Sequence, residues 1–183
     1  MKKLMAFVLI VALCAALSGC MAKTTPAESF LLAIRKMDLA AMRAELTPDE
    51  KVGSLYMKLQ NADLNEETQA ALRKLYSLVQ YTVGDISSVG KGVQTVSLTL
   101  RVPDTERIRS LIAAQVLVLG ESPASILENM LSDGSVSQNM MKEYSVSVKM
   151  TEEDGGWKIP YGDKENADFV KALSVAEMID FLN

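Results

Sequence analysis

Few residues in this chain combine a reactive side chain with neighbours that direct its chemistry, and Cys20 is the first of them. Its thiolate is a nucleophile. It follows Leu17-Ser18-Gly19, whose small residues let the backbone enter a narrow processing site. The other cysteine, Cys14, lies within an uncharged apolar run from Leu4 to Leu17. The chain has no histidine, which removes the usual general base and the commonest transition-metal ligand. Ser-His-Asp, Cys-His and histidine-zinc chemistry are therefore excluded, leaving carboxylate, lysine, tyrosine and serine chemistry. Ser88-Val89-Gly90-Lys91 has the S-x-x-K spacing of serine acyl enzymes, but Gly90-Lys91-Gly92 reads as a hairpin turn and neither S-D-N nor K-T-G occurs. That match is read as coincidence. Gly90-Lys91-Gly92 also lacks the spacing of a phosphate loop, and the carboxylates at 152–154 and 163–168 lack the calcium-loop pattern. No cofactor, metal or catalytic residue is expected, and an enzymatic role is the least favoured one.

Met1-Lys2-Lys3, the run Leu4 to Leu17 and Ser18-Gly19-Cys20 follow the order of a secretory signal, which is basic, then apolar, then small at the cleavage site. The apolar run is too short to cross a bilayer, which takes about 20 residues of helix. Leu17-Ser18-Gly19-Cys20 resembles the lipobox of bacterial lipoproteins. That resemblance implies diacylglycerol on the Cys20 sulfur and removal of residues 1–19, so that Cys20 begins the mature chain. Two acyl chains anchor stably, whereas one binds only reversibly. The expected location is the extracytoplasmic face of the cell membrane, or the outer membrane in a Gram-negative source. Residues 20–25 then form a lipidated N-terminus and short tether, followed by a single domain at 26–183.

Removing residues 1–19 takes two lysines from the 19 basic residues and nothing from the 23 acidic ones, leaving a net charge of −6. An acidic domain is a poor partner for nucleic acid, so none is expected. One remaining cysteine, itself lipidated, cannot form an internal disulfide. Stability must come from packing, and the remaining length suffices for one core.

The elements are read from caps and periodicity. Thr25-Pro26-Ala27-Glu28 is a capping box with proline at the first helical position, followed by Phe30, Leu31, Ile34 and Met37 at helical spacing. Asp38 opens a short second turn. Thr47-Pro48-Asp49-Glu50 repeats the cap signature before Val52, Leu55, Tyr56 and Leu59, and Asn65 caps a stripe of Leu72, Leu75, Tyr76 and Val79. From Gln80 the period changes to two: Val96, Leu98, Leu100 and Val102 alternate with polar residues in a hairpin turned at Gly90-Lys91-Gly92. Asp104 and Ser122-Pro123 cap two helices, of which the first, with its apolar run Leu111 to Leu119, is expected to be buried. Tyr144, Val146, Val148 and Met150 form one face of a second hairpin, turned at Asp154-Gly155-Gly156 into Trp157 and Ile159. A helical tail carries Phe169, Leu173, Met178, Ile179 and Leu182. The fold class is therefore α+β: N-terminal helices, a curved antiparallel sheet of about four strands in two hairpins with a helical insertion between them, and a C-terminal helix.

Several phrases along this order resemble small lipoproteins of the cystatin-like or nuclear-transport-factor-like superfamily, common in Gram-positive bacteria. They are the lipobox, Ile34-Arg35-Lys36-Met37-Asp38-Leu39, Leu98-Thr99-Leu100-Arg101-Val102-Pro103-Asp104 and Glu153-Asp154-Gly155-Gly156-Trp157-Lys158-Ile159. The resemblance implies a sheet curved around helices that can hold a small molecule or present a surface. The catalytic histidine of its isomerases and dehydratases has no counterpart here. Three readings stay open. The first is a non-enzymatic, lipid-anchored envelope protein binding a small apolar ligand or peptide in the concavity of its sheet, with Tyr81, Met140, Tyr144 and Trp157 as candidate pocket walls. The second is an interaction or assembly accessory with a filled core, its partner an envelope protein. The third is a carboxylate or tyrosine enzyme.

Overall fold

Strict alternation along Val96-Ser97-Leu98-Thr99-Leu100-Arg101-Val102 puts every second side chain on one face of a strand, and burying that face decides the architecture. The computed structural model describes residues 24–61 and 64–183, so the expected signal segment, Cys20 and tether residues 20–23 lie outside the described residues. Within them the order is α1 (Pro26–Lys36), α2 (Leu39–Ala44), α3 (Leu55–Asn61), α4 (Glu66–Ser77), β1 (Gln80–Gly90), β2 (Val93–Pro103), α5 (Thr105–Leu119), α6 (Pro123–Ser132), β3 (Met141–Glu153), β4 (Gly156–Lys158), α7 (Ala167–Leu173) and α8 (Val175–Leu182). The chain is α+β: one four-stranded antiparallel sheet in the order β1-β2-β3-β4, built from two hairpins separated by the helical pair α5–α6.

Val96 pairs with Val148 and Leu98 with Val146, and these four face the helices. On the reverse face Ser97 pairs with Ser147 and Thr99 with Ser145, which leaves that face exposed and hydroxyl-rich. Phe30, Leu31 and Ile34 of α1, Leu72, Leu75 and Tyr76 of α4 and Phe169 and Leu173 of α7 share one core with the strands. The Tyr76 hydroxyl is satisfied inside that core, donating to the Leu173 carbonyl at 2.9 Å.

The caps work as their residue types require. Thr25 Oγ1 accepts the Glu28 N–H at 3.1 Å, Asn65 Oδ1 that of Thr68 at 2.8 Å, Asp104 Oδ1 that of Arg107 at 3.2 Å and Ser122 Oγ that of Ser125 at 3.0 Å. The second hairpin turns through Asp154 (φ 49°) and Gly155 (φ 79°), the left-handed pair that a two-residue antiparallel turn needs.

Two expectations are corrected. The signature at Thr47 does not start a helix: the Thr47 hydroxyl donates to Glu153 Oε1 at 2.9 Å and its N–H to the Ile159 carbonyl at 2.9 Å. Helix α3 begins only at Leu55, with Ser54 Oγ accepting the Met57 N–H at 3.2 Å, and Val52 lies fully exposed in the loop before it. The apolar run of α5 is not buried either. Of this helix Thr105, Ile108 and Ile112 are buried, while Leu117, Val118 and Leu119 are 88%, 82% and 55% exposed. The cause is geometric: the chain bends by 112° between α5 and α6, so α6 packs along α4 and leaves the end of α5 uncovered.

Candidate functional site

After β4 the chain passes through Ile159, Pro160, Tyr161 and Gly162, and three attachments fix this segment. The Ile159 N–H donates to the Glu45 carbonyl at 2.9 Å, completing its bridge to the Leu46 region. Asn166, fully buried, holds the other side: its Oδ1 accepts the Lys149 N–H at 2.8 Å, and its Nδ2 donates to the carbonyls of Lys149 and Pro160, both at 3.1 Å. The Tyr161 ring completes the attachment, packing against Phe30 at 5.6 Å and against Phe169 at 6.1 Å in an edge-on arrangement.

Tyr161 is only 8% exposed, and its hydroxyl has no hydrogen-bond partner among the described residues. Burial, with the Glu177 carboxylate as a second cause, pushes the phenol far above its ordinary range, so it stays protonated at any working pH. A pocket of about 500 Å³ opens beside it. Its walls are the start of α5 from Asp104 to Arg109, Lys142 and Tyr144 of β3, the loop from Tyr161 to Lys164, one side of α7, and Glu177 of α8. Arg109 Nε is buried in this wall, also without a partner among the described residues.

Several of the surrounding charges are paired. Lys142 Nζ is 3.0 Å from Asp104 Oδ1 and 4.0 Å from Glu106. The Asp104 hydrogen bond raises the Lys142 ammonium above its ordinary range. Lys149 Nζ lies 3.0 Å from Asp163 and 2.9 Å from Glu165. The Glu165 backbone N–H, followed by Lys149, holds the Asp163 carboxyl below its usual range. A second pocket of about 370 Å³ lies between the Leu46–Tyr56 segment and the same Tyr161, Gly162, Val170 and Glu177, so Tyr161 and Glu177 belong to the walls of both.

The sequence candidates are dispersed by the fold. Tyr144 is half-buried and lines the larger pocket. Tyr81 is half-buried on β1 among Glu28 and Arg35 of α1, and burial raises its phenol. Met140 is buried in the core, and Trp157 is half-buried on β4 opposite Glu152. Among the described residues no group of histidine, cysteine, aspartate and glutamate is arranged to hold a metal. Tyr161, Arg109 and Glu177 are the residues that sequence reasoning missed. One signal was available for Arg109, a lone cation between the apolar positions Ile108 and Ile112. Tyr161, an aromatic in a Pro-Tyr-Gly segment outside any strand, carried another.

No family model matches this chain, and no curated protein matches it. Among solved structures it is similar to a Bacillus subtilis protein provisionally described as a lipoprotein. The identity is 14%, the TM-score 0.37, and the match covers 79% of this chain and 44% of that one. The chain thus spans less than half the length of that protein.

An unpartnered buried hydroxyl costs stability that a binding role can explain. Tyr161→Phe is therefore expected to raise the unfolding free energy by about 1 kcal/mol, measured by urea denaturation. The same change at Tyr76, which loses its bond to Leu173, is expected to lower it by a similar amount. Equal losses at both positions would show that Tyr161 has a structural partner.

Proposed function

We propose that this protein is a lipid-anchored component of the bacterial cell envelope whose single domain binds a small ligand in the pocket beside Tyr161. The anchor reading is supported by the Leu17-Ser18-Gly19-Cys20 motif behind a basic and apolar leader. The layering of an antiparallel sheet on helices is the kind of architecture that the cystatin-like resemblance implies. One observation carries the binding reading: Tyr161 Oη and Arg109 Nε are both buried and unpartnered among the described residues, and both residues line the same open pocket. Each such atom costs about 1–3 kcal/mol when left without a partner, a cost that a ligand bearing an acceptor relieves. The inner face of the sheet is filled by core side chains, so the binding place is the end of the sheet and its adjoining loop. The ring of charged side chains there favours a ligand with a polar end.

The anchor is tested by Cys20→Ser. The variant is expected to move from the detergent phase to the aqueous phase in detergent phase separation and to lose radiolabelled palmitate incorporation in growing cells. Unchanged partitioning and labelling would sink the lipoprotein reading.

A second reading, an interaction accessory, is favoured by the exposed Leu117-Val118-Leu119 at the end of α5. Three adjacent large apolar side chains in water are the usual mark of a contact surface.

A further inference from the structure

We propose that the pocket holds an anionic oxygen group, a carboxylate or a phosphate, between the Arg109 guanidinium and the Tyr161 hydroxyl. This rests on the ligand-binding reading above and adds the chemical class of the ligand.

Charge pairing around the pocket leads to it. Asp104, Glu106 and Asp163 line the pocket, but each lies within 4.0 Å of a lysine nitrogen. Arg109, Lys164 and Lys171 also line it, and among the described residues none of the three makes an ion pair. Glu177 is the one lining carboxylate likewise without an ion pair there. Lys142 is shared by Asp104 and Glu106, so the lining charges balance at four carboxylates and four cations, and among the described residues the cations without an ion pair are Arg109, Lys164 and Lys171.

The two orphaned atoms add direction to that charge. An arginine Nε–H can only donate, and a protonated phenol donates as readily as it accepts. Two buried groups able to donate, both in residues that line the pocket, call for an acceptor. A guanidinium meets a carboxylate or phosphate edge with two parallel hydrogen bonds, a fit that neutral acceptors do not match. The volume of about 500 Å³ admits a small organic molecule, so the acid can be one end of a larger ligand. Glu177 opposes an anion, which gives the proposal an effect of opposite sign to test.

The experiment is calorimetric titration of the full-length chain in detergent micelles with inorganic phosphate and, separately, succinate, with glycerol as the neutral control. Arg109→Gln is expected to weaken acid binding about tenfold or more. Glu177→Gln is expected to tighten it about threefold, because an exposed like charge is removed. Preference for phosphate or for succinate assigns the acid, and either supports the proposal. Should Arg109→Gln fail to fold, the exposed Glu177→Gln decides by the sign of its effect. Binding that neither variant changes means an adventitious ion only, and overturns the proposal. Failure of both acids to bind, while native mass spectrometry of the same preparation shows a retained neutral molecule, overturns the anionic class and leaves the ligand-binding reading standing. Failure of both with nothing retained overturns the two together.

Discussion

Asn166→Ala is expected to lower the unfolding free energy by about 3 kcal/mol, more than a third of the stability of a domain near the low end of the usual range of about 5–15 kcal/mol. The reason lies at the sheet edge. β4 covers β3 only from Thr151 to Glu153, and the Lys149 N–H and carbonyl point outward just before that cover begins. The Asn166 amide takes the place of the missing strand, accepting from the Lys149 N–H and donating to its carbonyl, while its second amide hydrogen ties in Pro160. Alanine leaves the Lys149 N–H and carbonyl without partners at a position that is 0% exposed, while the Pro160 carbonyl keeps the Asp163 N–H at 2.9 Å. Asn166→Asp keeps the shape but aims a carboxylate oxygen at two carbonyls. Its folded-state carboxyl should therefore be harder to ionise than the unfolded one, so the variant should be most stable at low pH and weaken as pH rises. Urea denaturation of both variants at two pH values checks this. A loss below 1 kcal/mol in Asn166→Ala would mean that water replaces the amide without cost.

What the chain discloses about itself depends on the range of the interactions involved. Caps at Thr25, Asn65, Asp104 and Ser122 are local, each a side chain bonded to a backbone N–H three residues on, and each was legible. Strand alternation in β2 and β3 is equally local and fixed both the hairpins and the buried face. Thr47 shows where local reasoning ends. Its hydroxyl is taken by Glu153, 106 residues away, so the cap signature it carries goes unused. The end of α5 shows the converse: its apolar composition suits burial, yet no neighbour arrives, because the bend at Gly120 sends α6 elsewhere. The candidate site belongs to the same long-range class. Arg109, Tyr144, Tyr161 and Glu177 come from four separate parts of the chain, and only the closed fold brings them around one pocket. Residue types singled out Tyr144, but spacing could not pair it with Tyr161.

Phe30→Ala is expected to cost about 3–5 kcal/mol, the largest loss of any single change considered for this domain. The ring is fully buried and stands within 5.6 Å of Tyr161 and 6.0 Å of Phe169, which also contact each other. Removing one member of a mutually packed set of three leaves a cavity that the remaining two can fill only by tilting. For a domain of this length a loss of 3 kcal/mol lowers the melting temperature by roughly 6–12 °C, which a calorimetric scan resolves. The position matters beyond stability, because Phe30 backs the ring whose hydroxyl stands unpartnered beside the pocket. Phe30→Leu, which refills most of the volume, should cost only about 1–1.5 kcal/mol and leave the fold intact. If Tyr161 is held for binding by this ring set, the leucine variant should lose affinity for phosphate or succinate while remaining fully folded at the assay temperature. The fall should not add to that of Tyr161→Phe in the double variant, since both act through one hydroxyl. Additive losses would separate the aromatic set from the site and leave Phe30 as core packing alone.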